Sequence, residues 1–145
     1  MRKRRSPALG RASSFSAWWR VAPDPGVLSW VDAQAMETPH LSAITVAELR
    51  FGVAGMPEGR RRSIYQDRLE REVLPAFTGR VLPFDLDASQ AYANLMAQAR
   101  REGKSISAAN GYIAATVASR AWMVATRDVA PFQAAGVKVI NPWNA

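Results

Sequence analysis

The chain has 145 residues, enough for one compact domain, and its composition excludes several classes of protein. It has no cysteine and one histidine, His40, which excludes disulfide scaffolds and zinc ribbons and makes a His-based metal site improbable. Its apolar runs are shorter than the roughly 20 residues that a membrane-spanning helix needs. Any chemistry must therefore use carboxylates, amides, hydroxyls and arginines.

The net charge of +7 is concentrated near the start of the sequence. Six of the 19 basic side chains lie in residues 1–20, which contain no acid, whereas residues 21–145 carry 13 basic and 12 acidic side chains. This near-neutral remainder argues against a broad basic face for nucleic acid. We expect residues 1–23 to form a disordered or atypical basic leader without a packed element, and residues 24–145 to form the domain. A basic arm that touches RNA or DNA is the alternative for the leader.

Helices and strands alternate along the first half of the predicted domain. Asp24-Pro25 is typical of a helix start, because aspartate caps the helix and proline fits its first turn. A short buried strand is predicted over 40–44. The sequence Thr45-Val46-Ala47-Glu48 is a capping box, which predicts that a second helix starts there. A longer charged helix is predicted over 60–77.

The second half continues the alternation and indicates the fold class. Strands are predicted over 81–84, 122–126 and 137–140. Asp87 is the expected cap of a helix over 88–102, and Ser107 caps a helix that runs to about Arg120. A short helical turn is predicted over 129–135. Strands that alternate with helices indicate an α/β fold with a parallel sheet flanked by helices.

Three polar residues follow predicted strands or begin predicted helices. Glu48 comes just after strand 40–44, Asp128 just after strand 122–126, and Asn110 in the first turn of the helix opened by Ser107. Ligands of open α/β sheets bind outside the carboxyl ends of the strands, so these side chains can converge on one crevice. Oxygen-rich sites of this kind suit Mg²⁺ or Mn²⁺, and a metal there supports phosphodiester cleavage.

Each of these residues also has a purely structural interpretation. Glu48 at the third position of a capping box is explained as a helix-start residue, and from spacing alone this is the better explanation. Asp128 fits a turn, Asn110 an ordinary helix surface and His40 a partly buried structural histidine. Spacing and composition alone predict only a small α/β domain.

Several local sequences carry a resemblance to a known family. They are "LSAITVAELRFGV" (41–53), "GRVLPFD" (79–85), "GKSISAANGYIAATVASR" (103–120), "VATRDVAPF" (124–132) and "GVKVINPW" (136–143). In this order they resemble VapC-type toxins, specifically the FitB-like branch. These toxins are PIN-domain ribonucleases of type II toxin–antitoxin systems, and the resemblance covers residues 24–143.

The resemblance implies a PIN-like α/β/α sandwich around a central parallel sheet. It also implies a bacterial cytoplasmic protein that pairs as a homodimer, binds a cognate antitoxin and cleaves RNA with four acids that hold Mg²⁺ or Mn²⁺. Glu48 and Asp128 match two of these acids. Asn110 stands where the family has its central acid, and the family's opening strand with the first acid is expected to be degenerate or missing, replaced by "RASSFSAWWRVAP" (11–23).

Because two of the family's four acids are missing, three functional hypotheses are considered. A carboxylate about 4 Å from a unit positive charge contributes roughly 4 kcal/mol at an effective dielectric constant near 20, and Asn110 offers an oxygen without that charge. We therefore expect a metal-dependent endoribonuclease toxin that is weakened or inactive. The alternatives are a catalytically inactive PIN scaffold that binds antitoxin or RNA, and a basic-tailed nucleic-acid binder whose domain is only structural.

Overall fold

Five short parallel strands form one sheet in this computed structural model, which describes residues 7–9 by their backbone and residues 39–141. The strands are β1 (Pro7–Leu9), β2 (His40–Ser42), β3 (Val81–Leu82), β4 (Met123–Ala125) and β5 (Val139–Ile140). Their order across the sheet is β3-β2-β1-β4-β5, and all four pairings are parallel.

Helices connect the described strands. They are α1 (Ala43–Ala54), α2 (Arg60–Arg68), α3 (Leu74–Ala76), α4 (Leu86–Arg101), α5 (Ala108–Ala118) and α6 (Ala130–Ala134). A π-helical turn, Leu69–Val73, joins α2 to α3. The single helix predicted over 60–77 is therefore interrupted by this turn. No helix in the described part of the chain is long and apolar enough to cross a membrane.

Two hydrophobic clusters hold the helices to the sheet. The first joins β2 to α1 and to the α2–α3 segment, and its members include Leu41, Leu49, Val53, Leu69 and Phe77. The second joins β3 and β4 to α5 and α6, and its members include Leu82, Ile113, Val117, Val124 and Phe132. The predicted α/β class with a parallel sheet is confirmed.

The middle of the sheet is occupied by β1. Leu9 pairs with Leu41 of β2 on one side and with Ala125 of β4 on the other. The first strand, expected to be degenerate or missing, is therefore present as three residues, and residues 7–9 of the basic leader belong to the sheet. Three residues are too few to show an alternating pattern, and proline is tolerated at the first position of a strand. The predicted helix at Asp24-Pro25 and the domain boundary at residue 24 lie outside the described residues.

Two predicted helix starts differ from the observed ones. The cap of α1 is Ser42, whose hydroxyl accepts the Thr45 N–H (3.0 Å), so the helix begins earlier than the Thr45 capping box predicts and β2 is shorter. The cap of α4 is Asp85, whose carboxylate accepts the Ala88 N–H (2.9 Å), instead of Asp87. In both cases two capping side chains lie within one helical turn, and spacing does not decide between them. Ser107 caps α5 as predicted.

Candidate metal centre at the carboxyl edge of the sheet

Buried hydroxyl groups line the carboxyl ends of the two strands that flank β1. Ser42 ends β2, Thr126 follows β4, and the pairing of Leu9 with Leu41 and Ala125 places both one residue beyond the level of Leu9. Ser42, Thr126 and Thr45 of α1 are completely buried. These hydroxyls are not among the predicted site residues, although a hydroxyl residue directly after a short apolar strand is a signal visible in the sequence.

Helix α1 carries Glu48 in its second turn. The start of the helix is fixed by Ser42, which accepts the Thr45 N–H and donates its own hydroxyl to Thr45 Oγ1 (2.9 Å). Glu48 is therefore not the third residue of the helix, and the interpretation of its carboxylate as part of a capping box is wrong. Its Oε1 atom is buried in a residue that is only partly exposed.

Helix α5 carries Asn110 in its first turn. Ser107 caps the helix and accepts the Asn110 N–H (3.3 Å). The Asn110 side chain is 4% exposed, and its Oδ1 atom is buried without a hydrogen-bond partner in the described part of the protein. A buried polar atom without a partner costs about 1–3 kcal/mol, which favours a ligand for this oxygen.

A short turn after β4 positions Asp128. The Asp128 N–H donates to Thr126 Oγ1 (3.1 Å), and the Thr126 N–H donates to the carbonyl oxygen of Ile140 (3.0 Å), the residue that ends β5. The turn is thereby attached both to a buried hydroxyl and to the neighbouring strand. Asp128 itself is partly buried.

The topology assigns the three predicted site residues to the same edge of the sheet. Helix α1 and the turn of Asp128 follow the carboxyl ends of β2 and β4, and α5 begins at this edge because it leads back to the amino end of β4. Helices α1 and α5 also pack against each other. This arrangement is the crevice in which open α/β sheets bind their ligands, and the joint role of Glu48, Asn110 and Asp128 stays a prediction.

The side-chain oxygen atoms of Glu48, Asn110 and Asp128 are the type of ligand that a hard cation prefers, but only two of the three groups carry a negative charge. The buried Oδ1 of Asn110 and two carboxylates are oxygen ligands, which Mg²⁺ and Mn²⁺ prefer. In residues 39–141 no group of three histidine, cysteine, aspartate or glutamate side chains is arranged to hold a metal. Strand β1 adds no acid either, because residues 1–20 contain none. Of the predicted site residues, only Glu48 and Asp128 therefore offer a carboxylate to a cation.

An ion pair outside the crevice joins α1 to the π-helical turn. The Arg50 Nε–H donates to Glu70 Oε1 (2.9 Å), and an Nη2–H donates to Oε2 (3.1 Å). The hydrogen bonds from Arg50 lower the pKa of Glu70 below its usual value. Since the two side chains are 57% and 41% exposed, solvent screens the pair and its effect on stability is small.

A second set of polar contacts holds α5 to the loop before α4. Arg120 donates to the carbonyl oxygens of Thr116 (2.9 Å) and Pro83 (3.3 Å), to Ser119 Oγ (3.2 Å) and to Asp85 Oδ2 (3.2 Å). Its side chain is 20% exposed. Arg120 therefore connects the cap of α4 to the end of α5.

The fold defines a class: small α/β domains in which helices flank a central parallel sheet. The model of the PIN domain matches residues 12–137, and the chain belongs to the PIN domain family. The chain is 65% identical over 129 residues to a VapC ribonuclease, Y4jK, of Sinorhizobium fredii, with 89% of this chain and 92% of the relative covered.

A second relative and a solved structure agree with this membership. The toxin FitB of Neisseria gonorrhoeae is 47% identical over 125 residues, with 86% of this chain and 90% of the relative covered. The solved structure of FitAB bound to the IR36 DNA fragment superposes with a TM-score of 0.83 at 43% identity, covering 94% of this chain and 95% of that one. The resemblance stated from the sequence is therefore confirmed.

Proposed function

We propose that this protein is the toxin of a type II toxin–antitoxin module, with a metal-dependent endoribonuclease site that is weakened in this chain. The single observation that carries the toxin assignment is the 65% identity to a VapC ribonuclease over 92% of that relative's length. A cognate antitoxin is the protein partner, RNA is the substrate, a homodimer is the expected assembly and the bacterial cytoplasm is the expected location.

Glu48, Asn110 and Asp128 are the residues that would hold the metal. Bound Mg²⁺ or Mn²⁺ would supply Lewis-acid stabilisation of the charge that develops on the phosphoryl oxygens. The chain's own contribution is positional: the Ser107 cap fixes the start of the helix that carries Asn110, and the Thr126 hydroxyl fixes the turn of Asp128. The buried Oδ1 of Asn110 supports a cation at this position.

The proposal that the metal site is weakened rests on its small number of negatively charged side chains. Asn110 supplies an oxygen but no charge, and Pro7–Leu9, the residues before β2 whose strand the structure describes, supply no acid. Mg²⁺ loses its water ligands reluctantly, so a site with two carboxylates holds it less firmly than a site with four. The same observation favours a second candidate function, an inactive PIN scaffold that still binds antitoxin or RNA.

The test is cleavage of a mixed transfer-RNA substrate with Mg²⁺ or Mn²⁺, using the full-length protein. We expect slow cleavage by the parent and faster, metal-dependent cleavage by Asn110→Asp. Adding Glu48→Gln to Asn110→Asp should abolish the gain. Asn94→Asp is the matched control, because it adds the same charge on the exposed face of α4 and should leave the rate unchanged.

Binding of the antitoxin separates the toxin from the alternatives. Co-expression with the cognate antitoxin should give a stable complex with the parent and with every variant. Robust cleavage by the parent that depends on Glu48 would show that the site is not weakened. A complex without cleavage, even by Asn110→Asp, would support the inactive scaffold, and the absence of both would contradict the toxin assignment.

A further inference from the structure

Asn110 is followed by Gly111, and this dipeptide is chemically labile. The backbone nitrogen of a residue after asparagine can attack the side-chain Cγ, and glycine at that position offers no side chain that hinders the attack. The new N–Cγ bond closes a five-membered succinimide, the Cγ–Nδ2 bond breaks and ammonia leaves. Water then opens the ring, so that the net change is the gain of water and the loss of ammonia.

The two carbonyl groups of the succinimide give two products. Opening at the main-chain carbonyl gives isoaspartate, which adds a methylene group to the backbone and is incompatible with regular helix geometry. Opening at the side-chain carbonyl gives aspartate with an unchanged backbone. Aspartate at position 110 converts the neutral amide of the first turn of α5 into a carboxylate.

The folded helix opposes the first step of this reaction. The Gly111 N–H donates to the carbonyl oxygen of Ser107 (2.9 Å), so the attacking nitrogen is engaged in the first helical hydrogen bond. Ring closure also requires a ψ angle at Asn110 outside the α-helical range. Both residues are buried, which withholds the water needed for the second step. Attack therefore requires that the first turn of α5 opens.

Helix packing explains why the labile pair is there. A Cβ atom at position 111 would lie 2.8 Å from Met96 Sδ and 3.0 Å from Tyr92 Cε2, both on α4. The close approach of α4 and α5 therefore selects glycine after Asn110. The packing that requires glycine at position 111 makes the Asn110-Gly111 pair reactive, but it also buries the pair. Burial protects Asn110 only while the helix is folded.

We propose that Asn110-Gly111 is a deamidation site gated by local opening of α5. The folded protein keeps the amide, and chains in which the first turn is open convert it to aspartate or isoaspartate. Chains with aspartate refold with a third carboxylate at the edge of the sheet. Only this last consequence, a stronger metal site, rests on the proposed function, since the chemistry itself does not need it.

The test is peptide mass spectrometry of the full-length protein incubated at pH 8.5 and 37 °C, in buffer and in 8 M urea. In urea, Asn110 should deamidate much faster than Asn94, which is followed by leucine. In buffer, Asn110 should react at least about tenfold more slowly than in urea, since an opening free energy of about 1.4 kcal/mol lowers the open population tenfold. Equal rates at Asn110 and Asn94 in urea, or equal rates at Asn110 in both solutions, would overturn the proposal.

Ser107→Ala tests the gate directly. Loss of the cap should accelerate deamidation in buffer by about fivefold, the factor that corresponds to roughly 1 kcal/mol of helix-start stability, and should leave the rate in urea unchanged. Gly111→Ala should slow the reaction in urea, where packing against Met96 does not matter. A Ser107→Ala rate in buffer equal to the parent rate would show that the first turn is not the gate. These mass measurements do not depend on RNA cleavage. They therefore still test the deamidation proposal if the protein proves not to be a ribonuclease.

Discussion

Replacing Gly111 by alanine measures how closely α4 and α5 approach each other. The added Cβ would lie 2.8 Å from Met96 Sδ and 3.0 Å from Tyr92 Cε2. Met96 can move, but the Tyr92 ring is stacked on Tyr112 with their centroids 4.6 Å apart. Overpacking of a core typically costs about 1–3 kcal/mol, and alanine regains up to about 1 kcal/mol of helix propensity over glycine. With the full gain in helix propensity, we expect a net loss of up to about 2 kcal/mol.

The matched control is Gly52→Ala on α1, where nothing lies within 4 Å of the new Cβ. The same substitution should there stabilise the protein by up to about 1 kcal/mol, because only helix propensity changes. Urea unfolding followed by circular dichroism gives both free energies. In a double-mutant cycle, Gly111→Ala should cost less when Met96 is already alanine. A Gly111→Ala protein as stable as Gly52→Ala would refute the close approach of the two helices.

Three further predictions concern single side chains. Thr126→Val removes the acceptor of the Asp128 N–H and should cost about 1–3 kcal/mol in urea unfolding. An unchanged midpoint would contradict the role of this hydroxyl. Arg120→Met keeps most of the aliphatic stem but loses every polar contact of the guanidinium, and thermal unfolding should show a loss of about 1–2 kcal/mol. Glu70→Gln should destabilise by about 0.5 kcal/mol or less at pH 7. Because Arg50 lowers the folded-state pKa of Glu70, its contribution is present above the unfolded pKa and lost as pH falls through the folded pKa. A difference from the parent that persists at pH 2 would refute this assignment.

Much of the fold could be predicted because short hydrophobic runs and helix-capping residues indicate strands and helix starts within a few residues of sequence. The strand before α1 and the Ser107 cap of α5 can both be recognised from a few consecutive residues, without knowledge of distant partners. The strand Pro7–Leu9 could not be found this way, since its partners are β2 and β4, far along the chain. Its three residues take their strand conformation from that pairing and carry little signal themselves.

The candidate site was predicted through its charged and amide side chains and not through its hydroxyls. Asp128 and Asn110 stand out because polar residues directly after a strand or at a helix start are easily recognised. Thr126 is read as part of a strand, and only the structure shows it buried beneath the turn that holds Asp128. The interpretation of Glu48 as a capping-box residue requires Thr45 to be the cap of α1, but the observed cap is Ser42, three residues earlier.

The central position of β1 has a consequence for the order in which the protein is assembled during translation. Pro7 pairs with Met123, so the strand that leaves the ribosome early must wait for one of its two partners until β4 has also left it. Until then β2 and β3 can associate with β1 on one side only, and the other edge of β1 stays open. Exposed strand edges of this kind are where chaperones act and where neighbouring nascent chains aggregate. Any slowing of synthesis after β1 has emerged and before β4 leaves the ribosome would lengthen this vulnerable interval.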